Sequence, residues 1–220
     1  SMASPSRAFL QMSRGIFCLI AMLFVSSASA TEPRNIVFIG DSLTAGYGLD
    51  NPKAQAYPAL IQEKIDAANL NYRAVNAGLS GDTTAGGLQR INWLLRQKID
   101  ILVVALGGND GLRGVSPKAT KSNLRGIIEK ARVKYPDVVI ILAGMQMPTN
   151  MGESYRESFR RIFPEVAQEK RCDLIPFLLD GVGGYPKFNQ PDLIHPTAEG
   201  QQIMAQIVWL SLMPILVEQR

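Results

Sequence analysis

The sequence predicts an α/β protein, a three-layer α/β/α sandwich around a parallel sheet of about five strands. Two observations carry this. Short β-branched runs alternate with amphipathic stretches in the order βαβαβαβαβα, and parallel neighbours need crossover helices that cover both faces of the sheet. In addition, "ILVVAL" (Ile101 to Leu106) is apolar at every position, as a central strand buried on both sides must be. With 220 residues, 46% apolar and 19% charged, the chain suffices for one domain with a sizeable core.

The elements follow in order. Ile36 to Ile39 reads as a buried strand, and Tyr57 to Ala68 as a helix with Pro58 in its first turn. Tyr72 to Ala77 is the second strand. From Thr83 to Gln97, Leu88, Ile91, Leu94 and Leu95 fall at helical spacing. After the strand at Ile101 comes a helix from Pro117 to Lys134, then "VVIILAG" as the fourth strand. Ser154 to Lys170 reads as a helix bent or broken near Pro164, Leu174 to Phe177 as a short last strand, and Thr197 to about Leu212 as a terminal helix.

Residues 1–30 read differently. Arg7 and Arg14 precede the apolar run Gly15 to Val25, and Ala28-Ser29-Ala30 follows with small residues. This is the pattern of a secretory signal peptide cleaved after Ala30, with Ser1-Met2 an expression remnant and 31–220 one domain. The run is about eleven residues, short of the roughly 20 that span a bilayer, so no stable membrane insertion is expected after cleavage. Cleavage removes two of the 23 basic residues and none of the 19 acidic ones, taking the net charge from +4 to +2. No basic stripe with interleaved aromatics remains, which argues against nucleic acid as a partner. Cys172 is then the only cysteine and His195 the only histidine, so neither an internal disulfide nor a structural zinc site is expected.

In such sheets ligands bind outside the carboxyl ends of the strands, and the unusual residues collect there. Gly40-Asp41-Ser42 follows strand one, Gly78 to Asp82 strand two, Gly107 to Asp110 strand three, and "PDLIHP" (Pro191 to Pro196) precedes the terminal helix. Taken alone, Ser42 reads as a helix N-cap, a phosphate contact or a nucleophile. "GDSLTAGYG" lacks both the Lys-Ser/Thr of a P-loop and a Gly-x-Gly-x-x-Gly turn, which weakens the phosphate reading. A lone histidine is most often structural, but Asp192 three residues before His195 is spaced to reach its Nδ1 from a turn. Gly81 could present a backbone N–H to a substrate oxyanion and Asn109 a side-chain amide; a turn glycine and an Asx-turn are the plain alternatives.

Together, Gly40-Asp41-Ser42-Leu43, Gly81, Gly107-Gly108-Asn109-Asp110 and Asp192-Leu193-Ile194-His195-Pro196 resemble the successive blocks of the GDSL, or SGNH, hydrolases, over about residues 35 to 213. "GDSLTAGYG", "SGDTTAGGLQR" and "LGGNDGLRG" are most similar to the bacterial periplasmic thioesterases, lysophospholipases and arylesterases, which are multifunctional and include acyl-CoA thioesterases. The resemblance implies a flavodoxin-like fold, with Ser42 as nucleophile, His195 as base and then acid, and Asp192 as the orienting carboxylate. It also implies an oxyanion hole of the Ser42 and Gly81 N–H groups and the Asn109 amide. Esters and thioesters would be cleaved through an acyl-enzyme, with no metal and no cofactor. The chain lacks Gly-x-Ser-x-Gly, which separates it from the α/β-hydrolases.

Candidate substrate contacts are Asp41, Leu112, Arg113, Met147 and Pro148. With Met145 and Met151, the methionine could form a pliable wall for an acyl chain, although ordinary packing is the plain alternative. Arg113 could meet a charged head group or stand solvated. The expected partner is a small acyl ester or thioester, acted on by a monomer in the periplasm or outside the cell. A carbohydrate acetylesterase and a non-catalytic lipid- or carbohydrate-binding domain are the other readings. Trp93 and Trp209 fall in helices away from the site loops, where they offer no sugar platform.

Overall fold

In a computed structural model, which describes residues 31–219 of the chain, the strand β1 (Arg34–Gly40) runs parallel between β2 (Tyr72–Gly78) and β3 (Ile101–Ala105). Beyond β3 lie β4 (Val139–Ala143) and β5 (Asp173–Ile175), giving the order β2-β1-β3-β4-β5 with every pairing parallel. This is the flavodoxin-like order, and its reversal falls between β1 and β3. The export segment expected at residues 1–30 lies outside the described residues.

Among the described residues, seven α-helices connect the strands, α1 (Ser42–Ala45), α2 (Pro52–Gln55), α3 (Tyr57–Ala67), α4 (Thr84–Leu94), α5 (Gly108–Leu112), α6 (Pro117–Lys134) and α7 (Glu153–Lys170), and α8 (Ala198–Glu218) follows the last. The step from β1 to β2 runs one way across the sheet and the step from β2 to β3 the other. Right-handed crossovers therefore put α3 and α4 on opposite faces. Accordingly α4, α6 and α7 pack in a row, while α3 packs with α8. All five residues of β3 are buried, as its apolar sequence predicts.

Tyr57 at the start of α3 is fully buried and meets Phe38 of β1 edge to face, ring centres 5.6 Å apart. A buried phenol needs a partner, and Tyr57 OH finds Thr44 Oγ1 at 2.7 Å; burial raises its pKa. Gln201 of α8, also buried, accepts from Tyr57 N and donates to the Leu43 carbonyl. This one amide fastens the last helix to α1 and α3.

Some boundaries differ from expectation. Helix α7 runs unbroken through Pro164, and α8 continues through Pro214 to Glu218. Both prolines lie on exposed faces, where the carbonyl that loses its donor can turn to water. Phe163 with Val166 and Ala167, and Leu212 with Leu216, anchor the buried side across each proline. β5 stops at Ile175 because Pro176 has no N–H to continue the ladder. The four- and five-residue helices α1 and α5 are too short for periodicity to detect.

Helix α1 lies directly against the end of β2. A Cβ on Gly78 would stand 2.4 Å from Ala45 N, a backbone atom that cannot move aside alone. Gly78→Ala should therefore cost about 1–3 kcal/mol of stability, read as a lower urea midpoint; an unchanged midpoint would mean that α1 shifts freely.

Candidate active site

The site forms where the carboxyl ends of β1, β2 and β3 meet the loop before α8. After β1 the chain turns at Asp41, whose Oδ1 accepts from Leu43 N at 3.0 Å and caps α1. The cap is thus Asp41 rather than Ser42, and the Ser42 hydroxyl is left free to point elsewhere. It points to His195: Oγ lies 3.0 Å from Nε2.

His195 is held by its own turn. Leu193 adopts a left-handed φ of 61°, uncommon for a residue with a side chain, and this curls the chain back on Asp192. Asp192 Oδ1 accepts from Ile194 N and His195 N at 2.9 and 3.0 Å, and its Oδ2 meets His195 Nδ1 at 2.6 Å. The His195 contact first, then the two N–H groups, hold the carboxyl down at about 2. Asp192 therefore stays ionised through the working range, and its contribution to stability is lost only as pH falls towards 2. A carboxylate on Nδ1–H leaves Nε2 of the neutral ring as the acceptor, so the relay can take a proton from Ser42.

Two further contacts set the ring. Tyr47 stacks on His195 with centroids 4.6 Å apart and planes tilted by 46°. Gln190 Nε2 donates to the Tyr47 and Pro196 carbonyls, and Gln190 N to the His195 carbonyl. Gly48 admits the Gln190 side chain, since a Cβ there would stand 2.0 Å from its Oε1. Neither Tyr47 nor Gln190 stands out by type or spacing, so sequence reasoning passes over both.

Gly81, in the loop after β2, has φ +83°. Among the described residues no acceptor takes its N–H or that of Ser42. Asn109 of α5 donates Nδ2–H to the Asp82 carbonyl at 2.8 Å, leaving its second amide hydrogen uncommitted. The next residue, Asp110, is buried and accepts from Thr84 N, Thr84 Oγ1 and Thr120 Oγ1 at 2.8, 2.5 and 3.1 Å. These bonds tie the short helix carrying Asn109 to α4 and α6. Among the described residues, no group of three or more His, Cys, Asp or Glu side chains could hold a metal ion.

A cavity of about 540 Å³ opens beside Ser42 and His195. Asp41, Asn109, Leu112, Met145, Met147 and Pro148 line it, together with Phe177 and Leu179. Met147 is buried against Gly111, where a Cβ would stand 2.2 Å from its sulfur. Met151 packs half-buried on the core instead. Arg113 is not among the lining residues; its Nη2 donates to the Gly81 carbonyl at 3.1 Å.

The sequence profile of the GDSL-like Lipase/Acylhydrolase family matches residues 38–203. The chain is 40% identical over 200 residues to a Pseudomonas aeruginosa protein named Esterase TesA, spanning 90% of this chain and 96% of that one. It is 36% identical over 199 residues to the Escherichia coli K12 protein named Thioesterase 1/protease 1/lysophospholipase L1, spanning 90% of each. Among solved structures, the psychrotrophic esterase EstA from Pseudoalteromonas sp., inhibited by monoethylphosphonate, matches with TM-score 0.77 and 29% identity, covering 83% of this chain and 98% of that one.

Asp41 stands out electrostatically. Burial, above all, pushes its carboxyl up to about 6, helped by Asp82 and opposed by the Leu43 N–H and His195. From about pH 4 the unfolded chain releases this proton, while the folded chain keeps it to about 6, so stability falls with rising pH across that window. Asparagine keeps an acceptor for the cap without the charge. Between about pH 4 and pH 7 the stability difference should therefore move in favour of Asp41→Asn by roughly 2–3 kcal/mol. Urea titrations at both pH values measure it, and a constant difference would show that the buried charge is compensated.

Proposed function

Because the chain belongs to the GDSL-like lipase/acylhydrolase family, we propose that its esterase activity runs through an acyl-enzyme on Ser42, with esters and thioesters of acyl chains as substrates. One observation carries the reading: His195 bridges Ser42 Oγ at 3.0 Å and the Asp192 carboxylate at 2.6 Å. His195 takes the Ser42 proton as the oxygen attacks the carbonyl, and Asp192 stabilises the imidazolium that forms. The Ser42 and Gly81 N–H groups and the Asn109 amide receive the negative charge on the carbonyl oxygen. His195 then protonates the leaving alcohol or thiol, and a water activated by the same ring releases the acid. The phosphonate inhibition of the Pseudoalteromonas esterase and the thioesterase and lysophospholipase names of the Escherichia coli relative support this chemistry and the choice of acyl-CoA and lysophospholipids.

The cavity takes the acyl chain between Leu112, Met145, Met147 and Pro148, with the carbonyl at Ser42. The Arg7 and Arg14 pattern with the apolar run that follows supports export, cleavage after Ala30 and action in the periplasm or medium.

Ser42→Ala should abolish hydrolysis of p-nitrophenyl esters, by about 10⁴-fold or more, while leaving the unfolding midpoint in place; activity retained in that variant would remove Ser42 from the mechanism. Each buried methylene is worth about 0.8 kcal/mol, so kcat/KM should rise about fourfold per carbon from the acetyl ester until the chain leaves the cavity. A series that is highest at acetyl would favour a carbohydrate acetylesterase instead.

A further inference from the structure

We propose that Arg90 of α4 is a positioning residue for the oxyanion hole, a strut that holds its three donors in register. The proposal rests on the oxyanion hole assigned above. Those donors come from three separate loops, after β1, β2 and β3. The sheet ladder fixes the strands, but each loop leaves it before its donor.

Arg90 bonds to the ends of β1 and β2 and to the segment after β2, and through Asp82 it reaches the segment after β3. Nη2 donates to the Gly40 carbonyl at 3.0 Å, two residues before Ser42. Nη1 donates to the Ala77 carbonyl of β2 at 2.9 Å. Nε donates to Asp82 Oδ2 at 2.7 Å, in a pair whose side chains are 22% and 6% exposed. Asp82 follows Gly81 directly, and its carbonyl receives the Asn109 amide at 2.8 Å. Its other carboxylate oxygen accepts from Thr83 N. One guanidinium thus joins the nucleophile's turn to the Gly81 loop, and through Asp82 to Asn109.

The residue type matters because guanidinium is planar, with its donors fixed in a fork, so three acceptors are held in one geometry. Lysine at this position would supply the charge but not three directed bonds. Strand-end carbonyls also point their negative ends together here, and a cation among them lowers that repulsion. Arg90 does not line the cavity, so it touches no substrate and acts only through the groups it holds. Shifting the donors by a fraction of an ångström weakens transition-state binding more than substrate binding, which lowers kcat and spares KM.

The test compares wild type, Arg90→Lys, Asp82→Asn and Asn109→Ala, plus the Arg90→Lys/Asn109→Ala pair, on a soluble p-nitrophenyl ester. An alkyl boronic acid serves as the tetrahedral-adduct probe. For Arg90→Lys we expect kcat to fall roughly ten- to hundredfold with KM within about twofold, below the ~10²–10³-fold of losing a donor outright. Boronate affinity should fall in parallel, and the double variant should lose less than the product of the two single losses, since part of each acts through Asn109. Asp82→Asn keeps the carbonyl that holds Asn109 and breaks the ion pair; it should show the same kcat pattern, which keeps the test open if Arg90→Lys does not fold. Unchanged kcat in a folded Arg90→Lys, a loss in KM alone, or losses fully additive with Asn109→Ala would each overturn the proposal. Ester hydrolysis by wild type and its absence in Ser42→Ala test the underlying site assignment separately.

Discussion

The hydrogen bond between Ser42 Oγ and His195 Nε2 joins residues 153 apart, and much of the structure serves to let it form. One partner sits one residue past the cap of a helix at the end of the central sheet. The other sits in a turn held off the start of α8. Gln201 fastens α8 to α1 through one buried amide, and Gln190, seated against Gly48, fixes the histidine turn to the Tyr47 loop. A slip in either contact would open the 3.0 Å gap, so both glutamines belong to the geometry of the site although neither faces the cavity.

Among the described residues, the buried aspartates gather at this edge. Asp41, Asp82 and Asp110 are all buried near the strand ends, and each is handled differently. Asp82 has a guanidinium, Asp110 has two threonines and a backbone N–H, and Asp41 has one N–H against the desolvation of both its oxygens. A buried carboxylate without a countercharge resists ionisation, and Asp41 does so directly beside Ser42. The core between the helical layers is otherwise close to uniformly apolar, which makes the contrast at the strand ends sharp.

Much of this was legible in the sequence because it depends on period and spacing. The five strands and the long helices follow from apolar runs, and the Asp-x-x-His turn from a separation of three. What escaped depends on tertiary surroundings. Helices α1 and α5 are single turns with no period to detect, and whether Pro164 breaks α7 depends on which face it occupies. Asp41 rather than Ser42 caps α1 because the neighbouring serine is drawn towards a residue 153 positions away. Arg113, expected to meet a head group or stand solvated, instead bonds the Gly81 carbonyl, a contact no spacing reveals. Arg90 carried a faint signal, a lone cation eight residues after Asp82 on the inward side of a helix.

The turn around Leu193 has a consequence of its own. Asp192 is joined to Ile194 and His195 by bonds within four residues, so the carboxylate and the imidazole are paired by their own turn. Gln190, the Tyr47 ring and the start of α8 aim it. Phe177 and Leu179 of the cavity wall lie outside this turn and before Gln190, so they can change without disturbing the pair. Natural variation or directed evolution can thus reshape what the cavity accepts while the Asp192–His195 pairing is inherited intact.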